Sequence, residues 1–205
     1  MLIQNQDLQN PLQVRLEKFE PWQQITFMAC LCERMYPNYA LFCDETEFSE
    51  HQTFRIISDS IWEILIVKGA KINFERQLEK LEELIPTADD DSIYLTYPAI
   101  DACFSLSTVL HGLLDRDELE SAMFEVSQQS VSTVVQLIEA QTGEVIDNEN
   151  QKESELVCEE WDVQWAIFRA LKECDARNSE LIKSLRTEIR SDLVSNIGVE
   201  LNYSR

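Results

Sequence analysis

Residues 98–114, Pro-Ala-Ile-Asp-Ala-Cys-Phe-Ser-Leu-Ser-Thr-Val-Leu-His-Gly-Leu-Leu, contain one formal charge, Asp101, in seventeen positions. A helix that is apolar on most sides is normally buried on most sides, so this segment is expected at the centre of a helical bundle. The flanking sequence supports the same reading. Apolar residues recur at spacings of three and four in Trp22, Ile25, Met28, Ala29, Cys32 and Met35, in Phe54, Ile57, Ile61 and Leu65, and in Phe74, Leu78 and Leu81. The pattern resumes in Leu119, Met123, Val126, Val134 and Ile138, in Val157, Trp161, Trp165 and Phe168, and in Leu181, Leu185, Ile189 and Leu193. This period specifies amphipathic helices, and no run alternates as a strand would. The expectation is an all-α fold, a compact single-domain bundle of about eight helices over residues 1–205 with no sheet. Residues 1–10 and 196–205 are expected to fray, and residues 144–152 to form a mobile acidic linker.

Proline, asparagine and glycine punctuate the pattern. Pro21 suits the first helical position, Pro37 is expected to stop that helix and start a short turn, and Ser49 with Gln52 resembles a capping box. Asn73 and Asn178 are expected N-caps, and Gly143 is expected to close the helix over 117–141. Ile100, Cys103, Phe104, Leu110, Trp161, Trp165 and Phe168 are the expected core.

With 38 acidic and 17 basic residues the net charge is −21. Binding to phosphates or anionic lipid needs clustered Lys and Arg, so neither nucleic acid nor a membrane is an expected partner. Another protein, a basic one in particular, and a second copy of the chain are the partners left. Residues 92–114 fall short of a membrane span of about 20 apolar residues, and the first residues lack the basic and apolar regions of an export signal. A cytoplasmic setting is expected.

Chemistry is sparsely marked. Four glycines provide no dinucleotide or phosphate-binding loop. Cys30 and Cys32, about 200° apart on a helix, point to opposite faces and cannot share a metal, and the six thiols read as free. No cofactor or metal is expected. His111 lies ten residues beyond Asp101 on one helix, about 15 Å along its axis, which excludes a dyad; His111 reads as a core or boundary residue in preference to a catalytic one. Asp101 reads first as a carboxylate favoured by its helix N-terminus and second as a pocket residue. Glu33 and Arg34 precede Pro37, and Arg34 is a candidate partner for an acid near Trp161. Glu33, Arg34, Asp101 and His111 are thus the candidates for an interhelical pocket.

The block Ile25-Thr26-Phe27-Met28-Ala29-Cys30-Leu31-Cys32-Glu33-Arg34-Met35-Tyr36-Pro37-Asn38-Tyr39, with Tyr97-Pro98-Ala99-Ile100-Asp101-Ala102-Cys103 and Glu160-Trp161-Asp162-Val163-Gln164-Trp165, resembles the YjaG family of gammaproteobacterial cytosolic proteins. The resemblance implies an all-helical fold and a bacterial cytoplasmic setting. It carries over no catalytic or binding residue, because the family is a domain of unknown function.

The leading functional expectation is a non-enzymatic interaction or regulatory protein. The alternatives are an enzyme or small-ligand binder with a pocket near Asp101 and His111, and an acidic mimic that occupies a basic nucleic-acid-binding protein. Carboxylates crowd residues 144–162 and Asp89, Asp90 and Asp91, and their repulsion is screened over about 8 Å at physiological salt. Adding neutral salt is therefore expected to raise the thermal midpoint modestly, with no binding to duplex DNA; a midpoint that falls with salt contradicts the reading.

Overall fold

The computed structural model describes residues 12–201 apart from 148, 175 and 193. Its α-helices are α1 (Gln13–Leu16), α2 (Pro21–Thr46), α3 (Gln52–Ile66), α4 (Phe74–Glu82), α5 (Thr96–Leu114), α6 (Leu119–Thr142), α7 (Glu155–Lys172) and α8 (Ser179–Asp192). Short 3₁₀ turns at Arg116–Glu118 and Asn150–Glu153 precede α6 and α7. Among the described residues there is no strand, only one isolated bridge between Val194 and Glu200.

The central helix is α2, a correction to the expectation for residues 98–114. It packs against α3, α5, α6, α7 and α8, and between Gln23 and Cys43 only Arg34 and Leu41 are not buried. A capping box between Glu20 and Gln23, with Pro21 at the first position, starts it. Pro37 does not end it. The proline withholds one N–H from the carbonyl four residues back, Glu33, and an interior proline costs about 3 kcal/mol. Burial of Met35, Tyr36, Tyr39 and Phe42 across that point offsets the cost, since each fully buried large side chain contributes about 1.5–3 kcal/mol. Tyr39 stacks on Phe54 at 4.9 Å and joins α2 to α3.

Helix α5 lies beside α2, with Ala99, Ala102, Cys103, Leu106, Val109 and Leu110 buried. It is not covered on every side. Of the expected core, Cys103, Leu110 and Phe168 are buried and Ile100, Trp161 and Trp165 half-buried, whereas Phe104 is 51% exposed. Trp165 packs edge-on against Phe168 at 5.5 Å; Trp161 packs on a small satellite cluster of Val134, Val135 and Val157.

Asn73 and Asn178 cap α4 and α8 as read, and Gly143, at φ 72°, closes α6. Ser49 caps nothing: its hydroxyl meets the Tyr39 hydroxyl at 2.8 Å, and α3 starts from His51 without a side-chain cap. Within residues 144–152, Ile146 packs on the satellite cluster and its N–H donates to Glu139 Oε1 at 2.8 Å. The expectation that the chain frays from Asn196 is corrected over 196–201. Asn196 is buried, its amide donates to the Ser130 carbonyl at 2.8 Å, and it accepts from Asn38 at 3.0 Å. Residues 1–10 and 202–205 lie outside the described residues.

Helices α5 and α6 approach closely at Gly112, where an added Cβ would stand 3.0 Å from Ala122 Cβ and 3.2 Å from Leu119 Cδ1. Gly→Ala inside a helix ordinarily gains about 1 kcal/mol, but overpacking costs about 1–3 kcal/mol. Gly112→Ala is therefore expected to lower stability by about 1 kcal/mol in chemical denaturation, and a gain refutes the close packing.

Candidate functional site

Glu33 and Arg34 are adjacent on α2 and so leave the helix about 100° apart, towards different neighbours. The Glu33 carboxylate is wholly buried. Its Oε1 accepts from Ser58 Oγ at 2.9 Å, Trp62 Nε1 at 2.8 Å and Arg190 Nη2 at 2.6 Å, while Oε2 accepts from Arg190 Nε at 3.0 Å and from Arg55 Nη1. Arg190 also bonds Asp59, which takes a second bond from Arg186 at 2.7 Å. The Arg55 guanidinium lies 3.6 Å from the centre of the Tyr36 ring. Helices α2, α3 and α8 thus meet at a cluster of three arginines and two carboxylates. Burial pushes the Glu33 carboxyl up, but hydrogen bonds from Arg190 and the charges of Arg55 and Arg190 outweigh it and hold the group below its ordinary value.

Arg34 turns to α7, where its Nε donates to Glu160 Oε2 at 2.7 Å. Glu160 is also wholly buried; Ser130 of α6 donates to its Oε1 at 2.5 Å. Beside it Ser127 donates to Gln164 Oε1 at 2.7 Å, and the Gln164 amide returns a bond to the Ser127 carbonyl at 3.1 Å. Here burial wins: one arginine and neutral donors do not offset it, and the Glu160 carboxyl is raised.

Asp101 is buried and stands in the sixth position of α5, past the turn where the N-terminal dipole acts. Its support comes across the interface: Thr133 Oγ1 of α6 donates to Oδ2 at 2.8 Å. Burial raises its carboxyl, and Thr133 and Gln129 only partly counter this. The nearby Tyr94 hydroxyl is pushed up to about 12 by burial and then by the Asp101 charge. His111 is exposed on the last turn of α5.

The structure therefore does not gather the four candidate residues into one pocket. Clefts of about 280, 500 and 370 Å³ open elsewhere, and none is lined by Glu33, Arg34, Asp101 or His111. His51 meets the Tyr36 hydroxyl at 2.6 Å rather than a thiol or serine. Burial raises the thiols of Cys30, Cys32, Cys43 and Cys103, which keeps them protonated and weakly nucleophilic. Among the described residues no three His, Cys, Asp or Glu side chains are placed to hold a metal ion. Arg55, Asp59, Arg186 and Arg190 escaped the sequence reading. Their signal was present: Arg55 and Asp59, like Arg186 and Arg190, stand four apart on one helix face.

The opposite shifts of the two buried glutamates give opposite pH signatures. A lowered folded value makes Glu33 stabilising above the usual carboxylate range, roughly pH 4, and that contribution is lost as pH falls through the folded value. A raised value makes the Glu160 contribution complete below that range and lost as pH rises through the folded value. Glu33→Gln is expected to cost about 3 kcal/mol at neutral pH, the low end for breaking a buried pair, because it leaves the half-buried guanidinium groups of Arg55 and Arg190 without their buried carboxylate, and the deficit against wild type should shrink in acid. Glu160→Gln should cost less, with a deficit that grows in acid. Urea denaturation from about pH 2 to 8, spanning both sides of the usual carboxylate range, measures both; parallel pH profiles contradict this assignment.

Residues 11–200 match the model of the family described as "Protein of unknown function (DUF416)". The Escherichia coli K12 relative, named uncharacterized protein YjaG, is 55% identical over 192 residues, spanning 94% of this chain and 97% of that protein. An uncharacterized Haemophilus influenzae protein is 46% identical over 196 residues, 95% of this chain and all of the relative. The crystal structure of a DUF416 family protein from Shewanella baltica superposes with a TM-score of 0.86 at 30% identity, covering 92% of this chain and 98% of that one. Resemblance, fold and relatives agree: the chain belongs to the DUF416 family.

Proposed function

We propose that the protein is a non-enzymatic interaction protein of the bacterial cytoplasm that holds a basic helical segment of another protein against the outer face of α5. The observation that carries this reading is an exposed apolar stripe. Tyr97 is 44% exposed and Phe104 51%, and their separation of seven residues aligns them on one face of α5; Ile93, 46% exposed, stands just before the helix. Half-buried Ile100 and Thr108 continue the line. A groove of about 280 Å³ runs along Phe104 towards α6, lined by Thr108, Val126, Gln129 and Glu125. Acidic residues flank the stripe in sequence, Asp89, Asp90 and Asp91 before it and Asp115, Asp117 and Glu118 after it. Apolar anchors at helical spacing suit an amphipathic helix laid into a groove, and the acidic flanks suit lysine or arginine at its termini.

A non-catalytic role is supported by the engagement of Glu33, Arg34, Asp101 and Glu160 within the fold. The acidic-mimic reading has its own support, because seven of the eight carboxylates in residues 144–162 are exposed, Glu160 being the exception.

The test is affinity capture from bacterial lysate with wild type and a Tyr97→Glu, Phe104→Glu double variant, at low and high salt. The expected outcome is a discrete protein retained by wild type, released by salt and absent with the variant. Retention of the same proteins by both overturns the α5 face as the binding surface. Displacement of the retained protein by duplex DNA identifies the mimic.

A further inference from the structure

On a chain with more than two acidic residues for every basic one, one cleft has the opposite character. The cleft of about 500 Å³ is lined by Trp22 and Ile25 from the first turns of α2, Ile64 and Leu65 from the end of α3, Ile72 and Phe74 before and in α4, Lys71 and Arg177 from two loops, and Arg116 from the 3₁₀ turn before α6. None of its lining residues is acidic. Asp117 and Glu118 neighbour Arg116 in sequence but do not line it.

Arg177 is held in place by the fold. Its Nε donates to the Leu65 carbonyl at 3.0 Å and its Nη2 to the carbonyls of Ile64 and Leu65 at 2.5 and 2.6 Å. These carbonyls end α3 and lack helical partners. The guanidinium thus cancels the negative end of the helix that borders the cleft, and its Nη1 makes no hydrogen bond among the described residues. Lys71 and Arg116 form no ion pair there either. Three cations without carboxylate partners surround an aromatic and aliphatic floor, and the volume lies within the roughly 300–1,000 Å³ of small-molecule sites.

We propose that this cleft binds a small amphipathic carboxylate, with its apolar body against Trp22, Ile25 and Phe74 and its charge towards Arg116, Lys71 and the free Nη1 of Arg177. The apolar floor supplies burial, while the cations select an anion that the rest of the surface repels. Neither a neutral analogue nor a cation gains the second contribution.

The experiment titrates the full chain with naphthalene-2-carboxylate, naphthalene-2-carboxamide and octanoate, observed by calorimetry and by the indole N–H resonance of Trp22, assigned with Trp22→Phe. The two carboxylates are expected to bind with a shift of the Trp22 resonance, and the carboxamide at least tenfold more weakly than naphthalene-2-carboxylate. A Lys71→Gln, Arg116→Gln double variant alters exposed side chains without partners. It is expected to weaken both carboxylates about tenfold and leave the carboxamide unchanged. Arg177 is spared because it caps α3. Equal affinity for acid and amide, an unmoved Trp22 resonance, or no binding of either carboxylate at millimolar concentration overturns the proposal. Because the ligand comparison is made on wild type, it stands even if the variant fails to fold.

Discussion

Glu33 and Arg34 are neighbours on the helix that most of the others pack against, and neither charge can be left without a partner away from water. Desolvating a lone ion costs several kcal/mol after relaxation, comparable with the whole stability of a domain. Helices α3 and α8 must therefore bring Arg55 and Arg190 to one side of α2, and α7 must bring Glu160 to the other. An apolar interface tolerates a small slip in register at modest cost. A slip of α7 or α8 here would strand a buried charge, so the ion pairs select one arrangement of four helices from many with similar hydrophobic contact.

The two buried glutamates differ because their donors differ. Glu33 receives two arginines, a serine and an indole; Glu160 receives one arginine and neutral groups. In the same protein, one is held as a firm carboxylate and the other is drawn towards its neutral form. Asp101, with Thr133 and Gln129 and no cation, follows Glu160.

This use of arginine also shapes the surface. Arg34, Arg55, Arg186 and Arg190 are taken up in internal ion pairs, and Arg177 by the end of α3. The fold thus engages Arg177, Arg186 and Arg190 near the C-terminus, and the exterior is left dominated by carboxylates. The apolar outer face of α5 and the cationic cleft beside Trp22 depart from that surface.

What the sequence determined by itself is the local part: that the chain is helical, roughly where helices begin and end, the caps at Asn73, Asn178 and Gly143, and the excess of negative charge. These depend on residues within one or two turns of each other, so periodicity and side-chain chemistry suffice. It also indicated that Arg34 would meet an acid near Trp161. Tertiary structure decided the rest. Pro37 sits inside a helix because neighbouring elements bury the residues on both sides of it, Asp101 is supported by a threonine 32 residues away, and Phe104 is exposed because no described element covers that face of α5. The Glu33 cluster joins residues as much as 157 positions apart. Arg55, Asp59, Arg186 and Arg190 showed only a spacing of four; which charge each would meet depends on how separate helices pack, and a one-dimensional pattern does not contain that.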